Sequence, residues 1–125
     1  MPETSYELHA IRVLECSREG KQLRTDRDAV DVIGEAMQTG CQVVVIPVER
    51  FDPDFFRLRT GVAGAIVQKF VQYSRRLVIL GDVSNFVEES TAFDAFVIEA
   101  NRGRDIWFVR DAAELGRRLQ ERQQA

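Results

Sequence analysis

The spacing of apolar positions changes several times along the chain, and each change marks an element. Between Tyr6 and Ser17, Leu8, Ala10, Val13 and Leu14 alternate imperfectly with polar residues, as two short strands or one bent strand would. Residues 20–25 (GKQLRT) supply a turn and room for a brief strand. Thr25 or Asp26 then caps a helix with the stripe Ala29, Val30, Ile33 and Met37. Gly40 ends it, as a residue free to take positive φ can. Residues 41–48 (CQVVVIPV) are a continuous β-branched run, the mark of a strand covered on both faces. Val62, Ala63, Ile66, Val67 and Phe70 set a second helical stripe, and residues 75–82 (RRLVILGD) read as another doubly covered strand stopped at Gly81. Ser90 opens a third helix, with Phe93, Phe96, Val97 and Ala100 inward and Gly103 at its end. Residues 105–109 (DIWFV) form the last strand. Asp111 with Glu114 makes a capping box for a final helix that buries Leu115 and Leu119, while Arg117, Arg118 and Arg122 read as its solvated face.

Buried strands joined by helices require crossovers, so the expected fold is an α/β domain over residues 1–125. Its sheet is mixed but mostly parallel, of about four or five strands with about four helices. In such sheets ligand and partner surfaces gather beyond the carboxyl ends of the strands. Those places are Glu49 to Thr60, Gly81 to Ser90, and Arg110 to Asp111.

Composition narrows the function classes. A chain of 125 residues, 45% hydrophobic and 30% charged, has enough material for one packed core, and disorder is not indicated. A net charge of -3 argues against a generally basic surface, so nucleic acid is not an expected partner. The longest apolar run is about five residues, roughly a quarter of a membrane span, and the first ten residues lack the regions of a signal peptide. No membrane partner and a cytoplasmic location are therefore expected. Cys16 and Cys41 fall in or beside apolar strands and read as inert packing thiols. The lone His9 and the cysteine spacing match no zinc pattern, so no metal and no cofactor are expected. Lysine occurs only at 21 and 69, an arginine bias typical of GC-rich coding DNA.

The candidate chemistry lies at the strand ends. Thr60 reads as the N-cap of the second helix, and the same helix start favours an anion that Arg57 and Arg59 can grip with guanidinium forks. Phe55 and Phe56 are adjacent and read first as plain packing; the sharper alternative is that an extended segment turns one inward and leaves the other for a cleft or a partner. Phe51 and Phe86 add to this aromatic excess. Gly61 and Gly64 lie one helical turn apart and read as close packing, since their spacing is wrong for a dinucleotide fingerprint. Asp82, followed by Ser84, reads as a cap or turn residue, with general base as the sharper alternative. Gln68, Lys69, Glu99 and Asn101 form an expected polar network around the third helix.

Two resemblances rest on these residues. Residues 53–70 (PDFFRLRTGVAGAIVQKF), 77–84 (LVILGDVS) and 96–109 (FVIEANRGRDIWFV) resemble the bacterial family catalogued as domain of unknown function 4180. The residues that match its pattern are Asp54, Phe55, Phe56, Thr60, Gly61, Ala63, Gly64, Gln68, Lys69, Phe70, Gly81, Asp82, Glu99, Asn101 and Gly103. Ala65 stands where that family is expected to carry Glu. The order of strand, loop, hydroxyl-glycine step, helix and strand is also similar to the STAS domain of anti-sigma-factor antagonists, with Thr60-Gly61 at the phosphoacceptor's place. Leu58 and Arg59 stand where an acid usually precedes that hydroxyl. The STAS likeness implies a regulatory or protein-interaction module whose partner is another protein; a homodimer in which exposed aromatics meet each other is a separate, blander option. On the STAS likeness Thr60 is a candidate phosphoacceptor, and Asp54, Phe55, Phe56, Arg57, Arg59, Gly61, Asp82, Ser84 and Phe86 line the binding region. The alternative is a small-molecule-binding protein or a cofactor-free acid–base enzyme of isomerase or cyclase type, accessory to a biosynthetic pathway. Its aromatic-lined site would take a small apolar or anionic ligand.

Overall fold

The computed structural model describes residues 3–124, with side chains through residue 121. It is an α/β structure with a five-stranded mixed sheet in the order β1-β2-β3-β4-β5. β1 (Glu3–Leu8) and β2 (Ile11–Cys16) form an antiparallel hairpin, and β3 (Val43–Pro47), β4 (Arg76–Leu80) and β5 (Ile106–Val109) then add in parallel. The first apolar segment is thus two strands, joined by His9 and Ala10, both at positive φ (51° and 65°). The brief strand expected near residue 23 is a single parallel bridge from Leu23 to Phe51.

Helices α1 (Asp26–Gln38), α2 (Val62–Gln72), α3 (Ser84–Glu89), α4 (Thr91–Arg102) and α5 (Ala112–Gln124) make the described helices five rather than four. The added one, α3, lies inside the segment read as a loop, because six residues are too few to show a helical period. Right-handed crossovers along a strand order that never reverses put the crossover helices on one face. The core agrees. Ala29 and Ile33 of α1, Ile66 and Phe70 of α2 and Phe93 of α4 bury against Leu14, Val44, Ile46, Leu77, Ile79 and Phe108. The alternate residues Val13, Val43, Val45, Val78, Trp107 and Val109 face Leu115 and Leu119 of α5 on the other side. Met37, expected inward, is 51% exposed. Ala36 takes its place, since Ala29, Ile33 and Ala36 are the residues of that helix turned to the sheet.

Thr25 caps α1 with a reciprocal box: its hydroxyl accepts from the Asp28 amide at 3.2 Å, and the Asp28 carboxylate accepts from the amides of Arg24 and Thr25 at 2.9 and 3.0 Å. Lys21 completes the site at 3.0 Å. Burial alone would raise the Asp28 carboxyl, but these bonds from Arg24, Lys21 and Thr25 outweigh it and hold the pKa down to about 2. A depressed carboxyl contributes stability that is complete above its unfolded value of 3.8 and is lost as pH falls through 2. Asp28→Asn is expected to cost about 2 kcal/mol at pH 6 and to flatten the fall in stability between about pH 4 and pH 2. Urea unfolding across that range measures both, and an unchanged slope would refute the assignment.

Arginines close the far ends of the helices, where carbonyls lack partners. Arg12 donates to Thr39 O (3.1 Å) behind α1, Arg75 to Tyr73 O (3.3 Å) behind α2, and Arg118 to Asn101 O (2.6 Å) near the end of α4. Arg118 is therefore not on a solvated face. Its guanidinium lies 4.2 Å from the centre of the buried Trp107 ring, and that of Arg76 lies 4.4 Å from it. The Arg122 side chain lies outside the described residues. Both cysteines are free and buried, and burial, assisted by Glu3, pushes the Cys16 thiol up to about 12.

Candidate functional site

A strand order without reversal has no point where two crossovers part, so the sheet itself opens no crevice at its carboxyl edge. The hollow there is made by the connection from β3 to α2 instead. Pro47 ends β3, and three 3-10 turns follow at Val48–Arg50, Pro53–Phe56 and Leu58–Thr60. Asp52 caps the middle turn by accepting from the Asp54 amide at 2.9 Å, with Pro53 in the first turn. The Asp54 amide and the Arg24 guanidinium, 3.2 Å away, hold the Asp52 carboxyl below its ordinary range.

These turns change the fate of the aromatics. Side chains in a 3-10 turn step by about 120° rather than 180°, so Phe55 and Phe56 both enter the core, at 0% and 4% exposure. Both are thus packed, as their first reading expects, and Phe56 also lines the hollow. Phe51 lies 4.4 Å from Phe55, and Phe56 stacks on Phe86 at 4.3 Å with an 11° tilt. Phe93 continues the series edge-on to Phe56 and Phe108.

Above the Phe56–Phe86 pair is an open groove of about 380 Å³. Arg57, Leu58 and Arg59 form one wall, and Glu89, Ser90 and Ala92, where α3 meets α4, form the other. Arg57 is held by Asp54 at 3.3 Å, and Asp54 also lies 3.8 Å from Arg24. Arg59 is exposed and has no carboxylate within 4 Å among the described residues. Ser90 is the N-cap of α4, its hydroxyl accepting from the Phe93 amide at 3.1 Å, as expected.

Thr60 is exposed beside the groove but does not cap α2. The cap is Gly61, in the left-handed region at φ 82°, a conformation that costs a side-chain-bearing residue strain. The Thr60 hydroxyl shares its proton between Asp54 O (2.7 Å) and Arg57 O (2.8 Å) and accepts from the Val62 amide at 3.3 Å. It stitches two turns together. Asp82 accepts from the Ser84 amide at 2.9 Å, which, with a further bond from the Ser84 side chain, holds its carboxyl below the ordinary range. Both Asp82 and Ser84 are exposed and stand outside the groove lining.

The expected polar network is not assembled. Gln68 and Glu99 are exposed and Lys69 bonds to Gln72 on its own helix at 3.2 Å. Among the described residues, no hydrogen bond or ion pair joins these three to Asn101. Asn101 works elsewhere: its side-chain oxygen accepts from the outward amide of Phe108 on β5 at 2.8 Å and from Arg118 at 3.1 Å.

Two groups went unseen in the sequence. Glu89 and Ala92 line the groove without any motif of their own. Arg50, 6% exposed, lies under the turn at residues 17–22, where it donates to Ser17 O and Lys21 O at 2.9 Å each and faces Glu3 at 3.8 Å. Gly20 makes that possible, since a Cβ there would meet the guanidinium carbon at 3.3 Å and its φ is 124°. The alternation of Val-Glu-Arg after a strand gave no sign of a buried charge.

Residues 8–119 match a protein-family model, described as a domain of unknown function (DUF4180). The match spans most of the chain, and the chain belongs to that family. No curated protein and no solved structure matches it. Among the described residues no helix is long and apolar enough to cross a membrane.

Proposed function

We propose that this DUF4180 protein is a regulatory binding module that holds a small ligand in the groove and performs no chemistry on it. The groove carries this reading: it joins an apolar floor to a cationic wall, as ligand sites of small size do. Asp82 and Asp54, the carboxylates the sequence placed at these strand ends, do not suit acid–base work. A general base is most effective with a pKa near the working pH, whereas Asp82 is shifted the opposite way by the Ser84 amide and side chain, and Asp54 is occupied by Arg57 and Arg24. The isomerase or cyclase alternative loses its best candidate there. The STAS-like layout supports a regulatory output, with Thr60 at the hydroxyl position. A phosphoryl group on Thr60 would break the bonds to Asp54 O and Arg57 O and so loosen the groove wall.

Native mass spectrometry on protein purified from its own host tests the reading. The wild type is expected to carry a bound small molecule that Phe86→Ser loses while remaining folded. Equal retention by both proteins would overturn it.

A protein contact is the second reading, favoured by a different place. Met37, Val71 and Tyr73, at the neighbouring ends of α1 and α2, are 51%, 44% and 37% exposed. Self-association through them would register as a dimer in sedimentation.

A further inference from the structure

We infer that the groove selects an organic monocarboxylate: a flat apolar body on the Phe56–Phe86 floor, with its carboxylate at Arg59. The inference rests on the groove being the binding site and adds what it recognises. Phe86 is only partly buried, and its stacking on Phe56 presents a ring surface suited to an offset-stacked planar group. Arg57 is already engaged by Asp54, while Arg59 stands on the same wall with no carboxylate within 4 Å among the described residues. A guanidinium fork matches a carboxylate in shape and charge. The opposite wall contains the first turn of α4, whose amide end favours a negative group. Glu89 on that wall disfavours a second negative charge, so a monoanion suits the groove better than a phosphate or a polyanion. The volume of about 380 Å³ lies at the small end of ligand sites and limits the body to about two fused rings.

Titration of the full chain with 2-naphthoate, 2-naphthamide and 2-naphthylmethylamine, followed by amide resonances, separates the claims. The acid is expected to bind about tenfold tighter than the amide, the factor one charge-assisted hydrogen bond supplies, and the amine weakest. Arg59→Gln, at an exposed position, should bring the acid to the amide's affinity and leave the amide unchanged. Equal binding of acid and amide by the wild type, or an unchanged acid affinity in Arg59→Gln, would overturn the inference while leaving the groove as the site. Failure of all three probes to shift Leu58, Phe86 and Ala92 would remove the groove reading itself. Displacement of naphthoate by an acidic peptide at lower concentration than by free acid would overturn the small-molecule assignment.

Discussion

Replacing Arg50 with methionine is expected to destabilise the protein by about 3 kcal/mol at neutral pH, because a buried charge loses its partner. Arg50 is 6% exposed and the Glu3 carboxylate 3.8 Å from it belongs to a side chain only 10% exposed. Methionine fills similar volume, so the loss is electrostatic: Ser17 O and Lys21 O lose their donor, and Glu3 is left uncompensated. Burial, and then Glu35, already raise the Glu3 carboxyl, and Arg50 opposes them. Without Arg50 the Glu3 pKa rises further. A raised carboxyl takes up its proton more readily in the fold, so the deficit should shrink as pH falls toward 5. Glu3→Gln in the Arg50→Met background should recover part of the stability at pH 7. Urea unfolding of the two variants at both pH values gives the answer, and a loss under about 1 kcal/mol would show the charge to be solvated after all.

Asn101→Ala is expected to cost about 2 kcal/mol and also to change the protein's behaviour in solution. The Phe108 amide points away from β4, and the Asn101 side chain is its acceptor. Alanine leaves that amide without a partner and frees the outer edge of β5, the kind of edge that templates pairing with another chain. Light scattering should then show association increasing with concentration. Asn101→Asp retains an acceptor for both Phe108 and Arg118 and should associate no more than the wild type does. Association equal in both variants would assign the effect to general loss of stability.

The parts of this fold that were legible are those where the cause is local. The β-branched runs of β3 and β4, the Thr25 and Ser90 caps and the Asp111–Glu114 pair all sit where the sequence placed them, because neighbouring residues determine them. The packing of Phe55 and Phe56 was legible, but the backbone that achieves it was not. Its local signal was an Asp-Pro cap for a tight turn, but adjacent aromatics after a strand suggested extended backbone. Arg118 and Arg50 were beyond this kind of reading, since their partners lie 17 and 33 residues away and no period marks them. The groove suffered the same fate: Arg57 and Arg59 come from one connection, Glu89 and Ala92 from another, and the packing of Phe86 and Phe93 on Phe56 brings the walls together.

The unreversed strand order also bears on how the chain is made. Each strand after β1 pairs with the one synthesised before it, so at the ribosome each new strand meets a partner already made. β5 is the clearest case. By the time it emerges, β4 is present on one side and Asn101, five residues ahead of Ile106, on the other. The last strand of the sheet arrives with β4 beside one edge and an acceptor waiting for its Phe108 amide on the other.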